Sequence, residues 1–121
     1  MQPKPTALVI EDDNKLADIF AQALTAAGYT TEINRDGITS MELLLHSTPA
    51  LIVVDLHLPG VSGEKVLAFI RAESRFKDTR IILATADSQL AEVHREECDL
   101  ALVKPITYTQ LRDFAVRLLE K

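Results

Sequence analysis

Short apolar runs in the sequence are followed directly by side chains that could bind a metal ion or a phosphoryl group. Glu11 and Asp12 follow the first of four such runs, Asp55 follows the second, and Thr85 and Lys104 follow the third and fourth. Three carboxylates brought together repel one another, which raises the pKa of at least one of them unless a cation neutralises the cluster. Mg²⁺ prefers oxygen ligands of this kind, with water and phosphate oxygens completing its shell. If the ends of the runs converge, the sequence predicts a Mg²⁺ site there.

The same residues include the side-chain types that a phosphoryl acceptor needs. A carboxylate can act as the nucleophile and form an aspartyl phosphate. Lys104 would then pair with the phosphoryl oxygens, and the Thr85 hydroxyl would donate a hydrogen bond to them. The simpler interpretation is that each acidic residue is solvated in a loop. That interpretation is better for any single residue and poorer for five polar groups that follow four different runs.

The apolar runs predict β-strands. Residues 7–10, 50–54, 81–84 and 100–103 are too short for helices and are together rich in β-branched side chains, which is typical of strands buried on both faces. Residues 29–34 instead alternate between inward and outward positions, which predicts a half-exposed strand at a sheet edge.

Helical patterns lie between the strands. Apolar residues at three- and four-residue spacing run from Leu16 to Ala27, with Asp13 or Asn14 as the N-cap and Gly28 as the C-cap. Four further helices are expected from near Asp36 to before Pro49, after Gly63, over residues 88–97, and around residues 111–118.

Five strand-then-helix units predict an α/β fold, a doubly wound five-stranded parallel sheet with five helices on its two faces. Placing the alternating strand at the edge leads to the strand order 2-1-3-4-5. In such sheets the functional crevice lies beyond the carboxyl ends of the strands, here between strands one and three. No linker or repeat divides the sequence, so residues 1–121 are expected to form a single domain.

Composition excludes several classes of protein. The chain has 121 residues, 47% of them apolar, which suits a globular domain rather than a disordered tail. Its apolar runs are far shorter than the roughly 20 residues of a membrane helix. The net charge of −5 argues against direct nucleic-acid binding. One cysteine, Cys98, cannot form an internal disulfide, and no export signal is visible, so a cytoplasmic location is expected.

Five short motifs, in this order and spacing, resemble the receiver domain of two-component response regulators. They are residues 9–13 (VIEDD), 53–60 (VVDLHLPG), 62–63 (SG), 84–86 (ATA) and 103–105 (VKP). The resemblance covers essentially the whole chain and implies the flavodoxin-like fold of chemotaxis regulators.

The resemblance also implies the roles of individual residues at a magnesium site. Asp55 corresponds to the phosphoacceptor and is one of the metal ligands. Asp12 corresponds to the acidic residue that binds Mg²⁺ directly, and Glu11 to its partner, which often acts through water. The backbone carbonyl of His57 corresponds to the third protein ligand.

Two further positions correspond to residues that respond to the phosphoryl group. Thr85 matches the switch hydroxyl and Lys104 the lysine that pairs with phosphate. The Lys104–Pro105 peptide bond is cis in the family, in line with the near restriction of cis bonds to proline.

The implied function is a phosphorylation switch. A histidine kinase or histidine phosphotransfer protein would donate the phosphoryl group, and the face made by the fourth helix, fifth strand and fifth helix would change in response. The same face is a candidate homodimer contact. The domain would assist its own phosphorylation and dephosphorylation without being a turnover enzyme, and it would act on an output domain or target protein.

The sequence departs from the family pattern near its end. Ala101 occupies the position, three before the lysine, where an aromatic side chain usually reports phosphorylation. The turn at residues 97–99 reads Glu-Cys-Asp where Gly-Ala-Asp is common. Glycine adopts positive φ more readily than glutamate, so a changed helix end is expected there.

Two other functions remain open from the sequence. Ala101 slightly favours a receiver-like module that binds partners irrespective of phosphorylation, whereas the complete acidic cluster argues against it. A phosphohydrolase of the haloacid dehalogenase type would also use a strand-end aspartate. Such enzymes carry a second Asp two residues later, where this sequence has His57.

Overall fold

The computed structural model describes residues 3–120 as a parallel sheet with helices on both faces. The strands are β1 (Thr6–Ile10), β2 (Thr30–Asn34), β3 (Leu51–Val54), β4 (Arg80–Thr85) and β5 (Leu100–Val103). The helices are α1 (Asn14–Ala27), α2 (Gly37–Leu44), α3 (Gly63–Ala72), α4 (Ser88–Val93) and α5 (Tyr108–Leu119). Two 3₁₀ turns, Ser74–Phe76 and Arg95–Glu97, follow α3 and α4.

The strand order is β2-β1-β3-β4-β5 and every pairing is parallel, which confirms the predicted fold class and order. The central strand β3 is buried along its whole length, whereas β2 at the edge alternates with exposed Thr30 and Glu32. The register pairs Ile10 with Val54. The residues that follow β1 and β3 therefore leave the sheet at the same level.

Alternate residues of each strand enter two separate apolar cores. Val9 and Val53 face a core that contains Phe20 of α1 and the apolar face of α5. Leu8 and Ile52 face a second core formed with α2 and α3. Because β1, β3 and β4 are buried on both faces, they are almost wholly apolar, as expected for parallel strands. The prediction that residues 100–103 form such a buried strand is wrong, because β5 lies at the other edge of the sheet, where Leu100, Ala101 and Leu102 are half-buried and Val103 is exposed.

Each helix starts at a side chain that accepts a backbone N–H of its first turn. These N-caps are Asp13, Asp36, Ser62, Asp87 and Thr107. Gly28 ends α1 with φ of 115°, the left-handed conformation that favours glycine, so the predicted C-cap is confirmed. Between the two candidate N-caps of α1, the structure selects Asp13.

The fourth helix is shorter than residues 88–97. It ends at Val93, and His94, with φ of −101° and ψ of 7°, separates it from the 3₁₀ turn Arg95–Glu97. Only Ala91 of α4 is fully buried, so little apolar packing stabilises a longer helix. The turn that follows needs no glycine, because Glu97, at the glycine position of the family pattern, does not have a positive φ.

None of the helices described is long and apolar enough to cross a membrane.

Gly63, at the first position of α3, lies against the backbone that follows β3. Its N–H donates to the Leu56 carbonyl at 3.0 Å, and a Cβ there would collide with the Asp55 carbonyl oxygen. Backbone atoms cannot move aside as a flexible side chain can. The start of α3 is therefore fixed to the loop that carries Asp55.

We predict that Gly63→Ala lowers the free energy of unfolding by about 3 kcal/mol, because the added methyl group overpacks this contact. Gly28→Ala is the matched control. Its Cβ would meet only Leu119 Cδ1, at 3.5 Å, so its cost is the left-handed backbone alone, about 1 kcal/mol. Urea unfolding of the two variants measures the difference, and an equal or smaller loss at Gly63 would contradict the prediction.

Candidate functional site

Backbone hydrogen bonds extend the sheet by one residue into the candidate site. The Glu11 N–H donates to the Asn34 carbonyl at 3.0 Å, and the Asp55 N–H donates to the Ile10 carbonyl at 3.0 Å. The Lys104 N–H donates to the carbonyl of Thr85 at 2.8 Å. The backbone of these residues is therefore held by the sheet, while their side chains project beyond its edge.

Lys104 lies between two buried carboxylates. Its Nζ is 2.6 Å from Glu11 Oε1 and 3.2 Å from Asp55 Oδ2. The side chains of Glu11 and Asp55 are 2% and 6% exposed, and that of Lys104 is 16% exposed. Two negative charges in so little water need a nearby cation, and the Lys104 ammonium group contacts both.

The three predicted acidic ligands form one cluster. One carboxylate oxygen from each of Glu11, Asp12 and Asp55 lies within 4.8 Å of the other two. Asp12 is exposed, so water can reach the cluster from its side. An all-oxygen donor set open to water fits a hard divalent cation such as Mg²⁺.

Both oxygens of the Asp55 carboxylate have partners. Oδ1 accepts the backbone N–H of His57 at 3.2 Å, and Oδ2 contacts Lys104. The carboxylate is thus oriented from two sides. His57 is an exposed residue, and its ring is not part of the acidic cluster.

The surroundings of the cluster raise the pKa values of Glu11 and Lys104. Burial raises the pKa of Glu11, and the negative charge of Asp55 adds to this, while the Lys104 hydrogen bond opposes it. Burial by itself lowers the pKa of Lys104, but its hydrogen bond to Glu11 and the charge of Asp55 outweigh burial, so the pKa lies above its ordinary value. Lys104 therefore stays charged at neutral pH.

Thr85, the last residue of β4, is completely buried and is linked to the start of α4. Its Oγ1 accepts the backbone N–H of Asp87 at 3.1 Å. The Asp87 carboxylate in turn accepts the N–H groups of Gln89 at 3.0 Å and Leu90 at 3.1 Å. The hydroxyl thus retains its proton for another acceptor while its oxygen is tied to the α4 cap.

Asp87, the N-cap of α4, is not among the site residues expected from the sequence. The sequence does contain a pattern that predicts this cap, since an aspartate immediately before a short amphipathic segment is a typical N-cap.

Ala101 pairs with Leu83 across the β4–β5 ladder and packs against the core on the α2–α3 side.

Residues 7–115 match the family model for the response regulator receiver domain. The chain belongs to this family. Receiver domains are signalling modules of two-component systems, generally non-catalytic, and they typically bind Mg²⁺. Among the described residues, the acidic cluster is the group of side chains that suits such an ion.

Individual relatives agree with this assignment. The polar-differentiation response regulator DivK of Brucella anthropi is 29% identical over 107 residues, which cover 85% of this chain and 87% of DivK. The signal receiver domain of a LuxO repressor protein from Vibrio parahaemolyticus is 29% identical with a TM-score of 0.86, covering 98% of this chain and 92% of its own. The chemotaxis response regulator CheY4 of Vibrio cholerae, 21% identical, has the same fold, with a TM-score of 0.85 and coverage of 96% and 99%.

We predict that Lys104→Met lowers the free energy of unfolding by about 3 kcal/mol in metal-free protein, because two buried carboxylates lose their cation. Glu11→Gln in the same background is expected to restore part of the loss. Lys65→Met, at an exposed position on α3, is the matched control and should change stability by no more than about 0.5 kcal/mol. Equal losses at the two lysines, measured by urea unfolding, would contradict this account of the ion pair.

Proposed function

We propose that residues 1–121 form a single receiver domain in which Asp55 accepts a phosphoryl group, in a Mg²⁺-dependent reaction, from a histidine kinase or histidine phosphotransfer protein. The observation that carries the proposal is the position of Asp55. Its carboxylate is 6% exposed, contacts Lys104, and shares a cluster with Glu11 and Asp12 at the carboxyl edge of the sheet.

In the proposed transfer, a carboxylate oxygen of Asp55 forms a bond to phosphorus. The phosphorus–nitrogen bond of the donor breaks, and its electron pair returns to the donor imidazole. The His57 N–H and Lys104 orient the carboxylate before attack. The metal ion, held by Glu11, Asp12, Asp55 and the His57 carbonyl, would supply positive charge against the phosphoryl oxygens.

Lys104 has a second part in the proposal. Once Asp55 is converted to the acyl phosphate, its carboxylate charge is replaced by the larger negative charge of the phosphoryl group. The ammonium that contacts Asp55 at 3.2 Å in the unmodified protein is then close enough to pair with a phosphoryl oxygen. The Lys104 contact to Glu11 would weaken as a result.

Thr85 would carry the change to α4. A phosphoryl oxygen on Asp55 is an acceptor for the Thr85 hydroxyl proton, and a shift of this hydroxyl pulls on the Asp87 N–H bound to it. Since Asp87 caps α4, the start of that helix would move with it. Ala101 offers no aromatic ring for the readout, so the β4–α4 connection is the route that supports signalling to the α4–β5–α5 face.

Under this proposal the receiver domain acts in the cytoplasm on an output domain or target protein and does not itself bind nucleic acid or membranes. It can form a homodimer through the α4–β5–α5 face. It assists its own phosphorylation and dephosphorylation and does not turn over a separate substrate.

A second candidate function, partner binding independent of phosphorylation, is favoured only by Ala101. A haloacid dehalogenase activity lacks support, because the position two after Asp55 carries the exposed His57.

Phosphorylation can be tested by intact-mass spectrometry after incubation with acetyl phosphate and with a phosphorylated histidine phosphotransfer protein. We expect one phosphoryl adduct that requires Mg²⁺ and is lost in Asp55→Asn. Asp78→Asn, an exposed aspartate following α3, is the matched control and should be modified like the parent protein. An adduct that persists in Asp55→Asn would contradict the assignment, and no adduct with either donor would favour the phosphorylation-independent module.

The proposed role of Thr85 predicts a separation of modification from response. Thr85→Val keeps the buried volume but removes the hydroxyl, so phosphorylation of Asp55 should persist. The accompanying change in amide hydrogen exchange over α4 should be largely lost. Thr79→Val is the control, since this buried threonine donates instead to the Pro49 carbonyl, at the opposite end of β4. An unaltered α4 response in phosphorylated Thr85→Val would contradict the proposed route.

A further inference from the structure

His94, the C-cap of α4, lies between two carboxylates from different elements. Its Nε2 is 2.9 Å from Oε2 of Glu64, in the first turn of α3, and its Nδ1 is 2.8 Å from Oε1 of Glu97, in the 3₁₀ turn that follows α4. The His94 side chain is 12% exposed, whereas those of Glu64 and Glu97 are 47% and 43% exposed. The ring is thus largely enclosed, and the two carboxylates remain hydrated.

This arrangement specifies the protonation state of the ring. An ionised carboxylate can only accept hydrogen bonds, and a neutral imidazole has a single N–H donor. Donation from both ring nitrogens therefore requires the imidazolium form. Loss of one proton leaves one of the two carboxylates facing a ring nitrogen lone pair, which is repulsive.

The remaining groups around His94 hold its backbone and do not compete for its ring. The Cys98 thiol donates to the His94 carbonyl at 3.4 Å, and burial raises the pKa of this thiol, so it remains protonated at neutral pH. The charged and titratable groups on these elements are Glu64, Lys65 and Arg71 of α3, Glu92 of α4, and Arg95, Glu96, Glu97 and Cys98 after it. Arg71 donates to the Glu97 carbonyl at 2.6 Å, and Arg95 pairs with Glu92 at 2.8 Å.

The contact to Glu64 matters because of where α3 begins. Glu64 follows Gly63, whose N–H donates to the Leu56 carbonyl and whose Cα lies against the Asp55 backbone. The first turn of α3 is therefore fixed to the Asp55 loop. Through Glu64, the ring of His94 joins the end of α4 to that fixed segment.

We propose that His94, with Glu64 and Glu97, is a pH-responsive latch that joins the end of α4 to the start of α3 and opens when the ring loses its proton as the pH rises. The latch needs neither a bound metal ion nor phosphorylation of Asp55. Its three side chains lie outside the acidic cluster of the candidate site.

The titration has a definite direction. The hydrogen bond to Glu97 and then that to Glu64 raise the pKa of His94 above its ordinary value, although burial opposes them. A histidine in the unfolded chain titrates at about 6.5. Because the folded pKa is the higher one, the latch stabilises the fold fully below about pH 6.5, and this stabilisation is lost as the pH rises through the folded pKa.

Ring NMR of the full chain from pH 5 to 9 tests the first part of the proposal. We expect the His94 midpoint above about 6.5, and a fall on the order of half a pH unit in Glu64→Gln and in Glu97→Gln, which keep the side-chain shape but remove the charge. A midpoint at or below 6.5, or one that does not respond to Glu64→Gln, would overturn the latch.

Amide hydrogen exchange tests the second part of the proposal, the opening of the latch at high pH. The rates are compared as protection factors, which correct for the pH dependence of chemical exchange. Between pH 6 and pH 8.5 we expect protection of the α4 amides to fall several-fold in the parent protein and to stay constant in His94→Gln. His46→Gln, an exposed histidine after α2, is the matched control and should behave like the parent.

Glu64→Gln repeats the exchange test with a substitution at a half-exposed side chain, so a folding defect in His94→Gln would not decide the result. An identical pH dependence in the parent protein and in Glu64→Gln would overturn the proposal. The same measurements in an Asp55→Asn background should be unchanged, which separates failure of the latch from failure of the phosphorylation proposal.

Discussion

The site depends on one electrostatic constraint, which is the burial of the Glu11 and Asp55 carboxylates beside a single ammonium group. In water-poor surroundings two carboxylates are unfavourable unless a cation contacts both, and Lys104 does so at 2.6 and 3.2 Å. The loop after β5 must therefore bring Lys104 to the ends of β1 and β3. The parallel sheet makes this geometry available, because all of its strands end at the same edge.

Much of this arrangement is predictable from the sequence because it follows from strong and local signals. Continuous apolar runs mark the buried strands β1, β3 and β4 but do not distinguish them from β5, which lies at an edge. The alternation in β2 identifies the opposite edge, and placing it there leads to the strand order. The residues directly after the runs must then meet at one edge. This is why the association of Glu11, Asp12, Asp55 and Lys104 could be predicted without coordinates.

The parts that could not be predicted depend on side-chain direction across elements. His94 has no metal-ligand spacing with His46 or Cys98, and its two partners come from Glu97, three residues later, and from Glu64, thirty residues earlier. Only the tertiary fold, which places the end of α4 within reach of the first turn of α3, brings them together. The early end of α4 is equally a tertiary result, because its few apolar residues do not specify where the helix stops.

The hydrogen bonds that hold the backbone of the site come from peptide groups rather than from side chains. The N–H groups of Glu11, Asp55 and Lys104 would make the same bonds whatever non-proline residue occupied these positions. The framework and the chemistry at this edge are therefore separable, so that the residue types there can diverge while the sheet keeps them at the same spacing. A scaffold of this kind can exchange its reactivity without redesign of its fold.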